Sequence, residues 1–298
     1  MSVAVVFLAR GIGGGVPALT RFLESYRHHP AGGEHCLYVL MKGWDNEVGR
    51  DTARQLAGDV PATVIDLPDD GFDWGAYFRA ANRLQEDWIL CLNTHSRIEC
   101  DNWLGLLMAA AAAPGVGAVG CTGSWGTFAP VWQFFNPVAA AVASRKGVLC
   151  GTLTLIGAWF MLPLRWSLRT GRFGGFPNPH LRSNAILLRR ETLCAFAAAH
   201  RFPCHKQDAL MLECGRQGLT RFLERRHLRV VVAGADGKSY GSDQWTDSRT
   251  FRVPGQRNLI ISDNQTRGYD AANLAMRRIM EISAWGPGVR QESTSISS

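Results

Sequence analysis

Trp88-Ile-Leu-Cys-Leu-Asn-Thr-His-Ser-Arg-Ile-Glu-Cys-Asp-Asn-Trp103 decides how this chain is to be read. Residues 88–92 are a short, unbroken apolar run, the pattern of a strand buried on both faces. Polar residues 93–97 end it abruptly, and a helix is expected from near Asp101. In an open α/β sheet, ligands gather beyond the carboxyl ends of the strands. Residues 93–97 are therefore the first place to look for chemistry.

The same grammar recurs on both sides of this stretch. Apolar runs at 3–9, 37–41, 62–67, 116–121, 185–188, 228–233 and 259–262 read as strands. Helical patterns at 18–26, 51–56, 74–85, 104–113, 191–199 and 208–226 fall between them, the last interrupted at Gly215 or Gly218. Strands alternating with helices imply βαβ units, hence an α/β fold whose mostly parallel sheet is flanked by helices. There is no internal repeat. The expected organisation is a single domain over 1–285 with a C-terminal extension, followed by a polar, serine-rich tail at 286–298 that reads as disordered.

Composition narrows the function classes. Thirty-two Lys and Arg against twenty-five Asp and Glu leave a formal charge of +7, which suits anionic partners. The basic residues are scattered rather than interleaved with aromatics, and no zinc-finger or RNP-like pattern occurs, so nucleic acid is not the expected partner. Eight widely spaced cysteines, with no CxxC pair, read as free thiols in a reducing compartment. The first residues look like a strand rather than a signal peptide, and the expected location is cytoplasmic.

One tract stands apart. Residues 147–164 are almost wholly apolar and are flanked by Arg145, Lys146, Arg165 and Arg169. Three readings stay open: a buried core helix, an interfacial or re-entrant segment, and a membrane span. The run is only about 18 residues long, short of the roughly 20 that a span needs. Membrane-surface contact at the inner face is what its flanking charges would support.

Five polar clusters sit where strands or loops hand over to helices. Arg10 closes the first strand, and the second runs into Met41-Lys42-Gly43-Trp44-Asp45. Lys42 is suited to a phosphate and Trp44 to stacking on a base or sugar; the alternative is a surface turn with a packed tryptophan. Asp69-Asp70-Gly71-Phe72-Asp73-Trp74-Gly75-Ala76, with Ala80, Ala81 and Asn82, opens the third helix, where Asp73 is placed to cap the first turn and Asp70 or Asp73 to bind hydroxyls. Asn93-Thr94-His95-Ser96-Arg97 contains no carboxylate; one histidine is no metal site, whereas Arg97 can neutralise an anion through charge-assisted hydrogen bonds. Asn178-Pro179-His180-Leu181-Arg182-Ser183-Asn184 offers donors and acceptors in an apolar setting, as a polyhydroxylated ligand requires, or else forms a structural loop. Lys206-Gln207-Asp208 starts a helix, with Asp208 either a proton acceptor or a cap, and Glu213 lies about 140° around that helix from Asp208.

In this order along residues 3–226, the clusters resemble inverting family-2-like glycosyltransferases of the GT-A fold. The resemblance implies transfer of a sugar from a nucleotide-sugar donor to a glycan, lipid-linked or other hydroxyl acceptor. It implies a nucleotide-binding part over about 1–125 and an acceptor part over about 126–285. Asp208 would be the general base; Arg10, Lys42, Asp70, Asp73, Asn93, His95, Ser96 and Arg97 would hold the donor; His180, Arg182, Asn184 and Glu213 would orient sugar or acceptor. Such enzymes usually hold magnesium or manganese through an Asp-x-Asp motif. Here Asn93-Thr94-His95 replaces it, and Gln207 stands where a glutamate is usual; a divalent metal, magnesium or manganese, stays open without the motif's support, beside a metal-independent enzyme. The runner-up is a catalytically inactive relative that binds nucleotide or glycan, or scaffolds polysaccharide assembly.

Overall fold

The computed structural model describes residues 1–127 and 171–287. The apolar tract 147–164 and the serine-rich end from 288 lie outside the described residues. Among the described residues, no helix is long and apolar enough to cross a membrane.

A central sheet is built from β1 (Val3–Arg10), β2 (Cys36–Lys42), β3 (Ala62–Asp66), β4 (Trp88–Leu92), β6 (Val116–Gly120), β9 (Ala185–Arg189), β10 (Arg229–Ala233) and β11 (Ser239–Tyr240). Its order is β11-β10-β6-β9-β4-β1-β2-β3. The β4-β1-β2-β3 half is parallel, with Phe7 opposite Leu92 and Arg10 opposite Lys42. β9 enters between β4 and β6 antiparallel to both, which brings Ala185 level with Leu92. The segment preceding β9 is thereby delivered to the carboxyl end of β4. Two-residue strands frame that end: β5 (Arg97–Ile98) pairs with β12 (Ile261–Ser262), and β7 (Gly123–Ser124) with β8 (His180–Leu181).

Alternation along β1 explains the two cores. Val3, Val5, Phe7 and Ala9 face α1 (Gly15–His28), α2 (Glu47–Gly58) and α4 (Trp103–Ala111). Ala4, Val6 and Leu8 face α3 (Phe72–Arg83), α5 (Arg190–Ala198), α6 (Lys206–Cys214) and α7 (Leu219–Glu224). Every residue from Val3 to Ala9 is buried, as parallel strands covered on both faces require.

Two further helices close the C-terminal segment. Asp263-Asn-Gln-Thr266, a polar cluster by sequence, is a helix start: the Asp263 carboxylate accepts the N–H groups of Gln265 (3.0 Å) and Thr266 (2.8 Å). It opens α8 (Asn264–Ala271), and α9 (Leu274–Trp285) returns the chain so that Trp285 joins the second core beside Phe251 and Trp245.

Candidate active site

The turn after β4 is tied down by its own polar groups. Asn93 Oδ1 accepts the N–H of His95 (2.9 Å) and lies 3.2 Å from Ser96 Oγ, which donates to the Asn184 carbonyl at 2.7 Å. This is an Asx-type turn, one of the local structures asparagine favours. The Asn93 N–H also reaches the Asn184 carbonyl, so the turn is stitched to the start of β9. Ser96 is buried. The His95 carbonyl accepts from Arg267 (3.0 Å), and burial together with the nearby Arg267 charge holds the His95 pKa below its usual value. Arg97 lies in β5, exposed and 3.7 Å from Glu99.

This turn does not fit a divalent cation. Its one side-chain oxygen acceptor of the amide kind, Asn93 Oδ1, is already engaged, and magnesium or manganese wants several hard oxygens at once. Among the described residues no group of three or more His, Cys, Asp or Glu side chains is placed to hold a metal.

A second cluster closes upon itself at the ends of β1 and β2. Arg10 grips Asp69 through Nε and Nη2, both at 3.1 Å. Lys42, only 2% exposed, donates to the carbonyls of Asp70 (2.7 Å) and Phe72 (3.0 Å) and lies 3.5 Å from Asp69. Burial lowers the Lys42 pKa, and Arg10 holds that of Asp69 down. Asp70 is paired with Arg79, and the Trp44 indole donates to the Ala9 carbonyl at 2.9 Å. Gly43 has φ +60, and a Cβ there would meet Asp69 Oδ2 at 2.8 Å, so only glycine lets the loop approach this closely. Arg10, Lys42 and Asp70 do not line the cavity described next.

That cavity, about 570 Å³, opens where α3 begins, where α6 runs past β8, and where the C-terminal segment folds back. α6 presents Lys206, Ala209, Leu210 and Glu213 to it, the spacing of a single helix face. Asp208 falls on the opposite side of the helix. Its Oδ2 accepts the N–H groups of Cys204 (3.0 Å) and His205 (2.8 Å), and the residue caps the first turn. The sequence reading gave Asp208 either role; this geometry gives it the cap, and Glu213 reaches the cavity instead.

The cavity lining carries charge of both signs, Lys206 and Asp263 included. Two of its carboxylates are Asp73 and Glu213. Glu213 accepts the Ser183 N–H and hydroxyl, each at 3.1 Å. Asp73, in the first turn of α3, makes no hydrogen bond among the described residues; burial first, and the Glu213 charge second, push its pKa up to about 6. Its guanidiniums are those of Arg182 and Arg252. Arg182 donates to Asp263 (2.9 Å), and its guanidinium lies 4.1 Å from the centroid of the Phe251 ring. Arg252 stacks on the same ring at 4.9 Å and donates to Ser283 (3.1 Å) and Gln265 (2.9 Å), but its buried Nε has no partner among the described residues. Burial and the neighbouring Arg182 bring the Arg252 pKa down to about 10. His180 feels both Glu213 and Arg182. Its Nδ1 lies 2.8 Å from the Asn178 carbonyl, which only accepts, so Nδ1 carries the proton.

Of the residues singled out in the sequence, Asp73, Asn93, His180, Arg182 and Glu213 share this cavity. Arg10, Lys42, Asp70, His95, Ser96, Arg97, Asn184 and Asp208 do not line it. Asn184 instead supports the wall: its Oδ1 accepts from Thr122 at 2.6 Å while its buried Nδ2 has no partner among the described residues. Sequence reasoning missed Phe251 and Arg252 as site residues, because nothing in an isolated Phe-Arg pair announces a site. Asp263 carried a readable signal, the Asp-x-x-Thr of a helix start.

No protein-family model matches the chain, and no curated protein matches it by sequence. Among solved structures it is similar to the mannosyltransferase PcManGT from Pyrobaculum calidifontis in complex with GDP-Man and Mn2+, at 13% identity and TM-score 0.47, over 84% of this chain and 59% of that one. It is also similar to residues 1–349 of S. aureus TarS in complex with UDP-GlcNAc, at 12% identity and TM-score 0.34, over 41% of this chain and 34% of that one. A third is GalNAc-T7 with UDP, GalNAc and Mn2+, at 13% identity and TM-score 0.34, over 42% of this chain and 23% of that one. The chain thus spans less than two thirds of the length of each of these three. These three solved structures are GT-A-type glycosyltransferases. At 12–13% identity no residue role is carried across from them.

Proposed function

We propose that this chain is a glycosyltransferase that moves a sugar from a nucleotide-sugar donor to a hydroxyl acceptor, with inversion. The observation that carries the reading is a cavity beside the carboxyl end of β4 whose lining brings the carboxylates Asp73 and Glu213 together with the guanidiniums of Arg182 and Arg252. A nucleotide sugar has an anionic diphosphate on one side of the reacting carbon, and the acceptor brings a hydroxyl proton to the other. A cavity lined by both carboxylates and guanidiniums suits both.

In this reading Asp73 is the general base. With a pKa of about 6 it is ionised at neutral pH yet more basic than an ordinary carboxylate. It takes the acceptor hydroxyl proton while that oxygen attacks the anomeric carbon. The bond from that carbon to the diphosphate oxygen breaks, and its electron pair leaves with the diphosphate. Attack opposite the leaving group inverts the configuration. Glu213, fixed by Ser183, keeps Asp73 basic through its charge, and neutral His180 offers a hydrogen-bonding ring to sugar hydroxyls. Asp208, the base that the family resemblance implies, is the competing assignment.

The test is turnover of a panel of nucleotide sugars by purified protein, with and without simple glycan and lipid-linked acceptors. Donor hydrolysis or transfer is expected from the wild type and not from Asp73→Asn, which should still bind donor. Donor binding without turnover across the panel would leave a binding or scaffold protein.

A further inference from the structure

We propose that Arg182, Phe251 and Arg252 form a built receptor for the donor's diphosphate, doing with two stacked guanidiniums what a divalent cation does in a metal-dependent enzyme. This rests on the glycosyltransferase reading and adds to it the group that holds the leaving charge. The turn after β4 does not fit a metal, while the guanidiniums of the same cavity have cationic capacity left over. Each guanidinium carries five N–H donors. Among the described residues the pair makes side-chain bonds to Thr122, Asp263, Ser283 and Gln265, and Arg252 Nε is buried without a partner there.

Charge points the same way. Asp263 is the only carboxylate ion-paired with either arginine among the described residues, and it pairs with Arg182. Among the described residues Arg252 hydrogen-bonds only neutral oxygens, on a ring it shares with a second cation, and feels Asp263 only through its charge. Holding two guanidiniums together with one counter-charge is unfavourable, and a bound dianion would relieve it. Phe251 fixes the spacing between them, and a planar fork matches phosphate oxygens two at a time. Structural packing alone would be served by an uncharged side chain at position 252.

Calorimetry with UDP and with GDP, each in chelator and then in manganese, tests this on the whole chain. The wild type should bind one of them in chelator, and the matching nucleoside far more weakly. Arg252→Gln should lose about 10- to 100-fold in nucleoside diphosphate affinity, the worth of a charge-assisted bond, while leaving nucleoside affinity unchanged. Removing Arg252 strands no ion-paired carboxylate among the described residues, so the variant should melt within a few degrees of the wild type despite losing its bonds to Ser283 and Gln265. Arg252→Lys, which keeps the charge without the fork, should fall between the two. Should the glutamine variant not fold, wild-type affinity must still drop as salt rises. Equal affinity in Arg252→Gln, salt-independent affinity, or binding only with manganese would overturn the receptor and leave the glycosyltransferase reading standing. No binding of either nucleotide with or without manganese would overturn both.

Discussion

The carboxyl edge of the sheet carries two charge clusters of similar composition and opposite state. Arg10, Lys42, Asp69, Asp70 and Arg79 pair among themselves, each cation facing a carboxylate or backbone carbonyls. In the cavity, Asp73 has no hydrogen bond among the described residues and Arg252 has no carboxylate partner. The first cluster has the energetics of structure, with its charges already compensated. The second keeps charges under strain, the condition that catalytic and binding groups share. The comparison separates residues that hold the site together from those that would act in it.

Asp73→Asn is the sharpest way to break the contrast. Loss of a general base should lower turnover about 10³-fold with donor affinity kept. Wild-type activity should rise with pH through about 6, where the Asp73 carboxyl ionises. Stability should move the other way. In the folded chain this carboxyl keeps its proton up to about pH 6, whereas it releases it near 3.8 when unfolded. Asp73 therefore contributes instability that grows between those values, is full above pH 6 and absent below about pH 4. The asparagine variant should be more stable than wild type at pH 7 to 8 by about 1–3 kcal/mol and equal to it near pH 4, read by denaturant unfolding. A gain of activity, or lower stability at pH 8, would return Asp73 to a helix-start role.

The closed cluster should respond in the reverse sense. Lys42→Met removes a buried cation that joins Asp69 to the carbonyls of Asp70 and Phe72. The expected outcome is a loss of about 2–3 kcal/mol in stability, since breaking a buried pair leaves its partners unsatisfied. Nucleoside diphosphate affinity should change less than about threefold if the cluster is structural, well within 0.7 kcal/mol. A large loss of affinity with little loss of stability would make Lys42 a phosphate ligand after all.

How much of this could be read beforehand follows from what each signal depends on. The strands were legible because burial on both faces leaves unbroken apolar runs, as at residues 3–9 and 88–92. The cavity was half legible. Asp73, Asn93, His180, Arg182 and Glu213 stood at element ends, where an open sheet collects its ligands. Direction was not legible: Lys42 and Arg97 were chosen for charge, and charge alone does not say whether a partner already waits. Asp69 waits for Arg10 and Lys42, and Glu99 for Arg97. Arg252 and Phe251 were invisible because their role comes from a contact with Arg182, seventy residues earlier in the chain.

The smallest expected effect decides between the two candidate bases. Asp208→Ala removes the acceptor for the Cys204 and His205 N–H groups, and loss of such a cap costs about 1 kcal/mol. Because Asp208 lies on the side of α6 away from Lys206, Ala209 and Glu213, turnover should stay within a few-fold of wild type once both proteins are compared well below their melting temperatures. The helix also holds Glu213 against Ser183, so any small loss of activity should follow the loss of stability and vanish as temperature falls. A collapse of turnover that persists at low temperature, with donor binding intact, would mean that α6 turns its other face inward on binding substrate, and would transfer the base from Asp73 to Asp208.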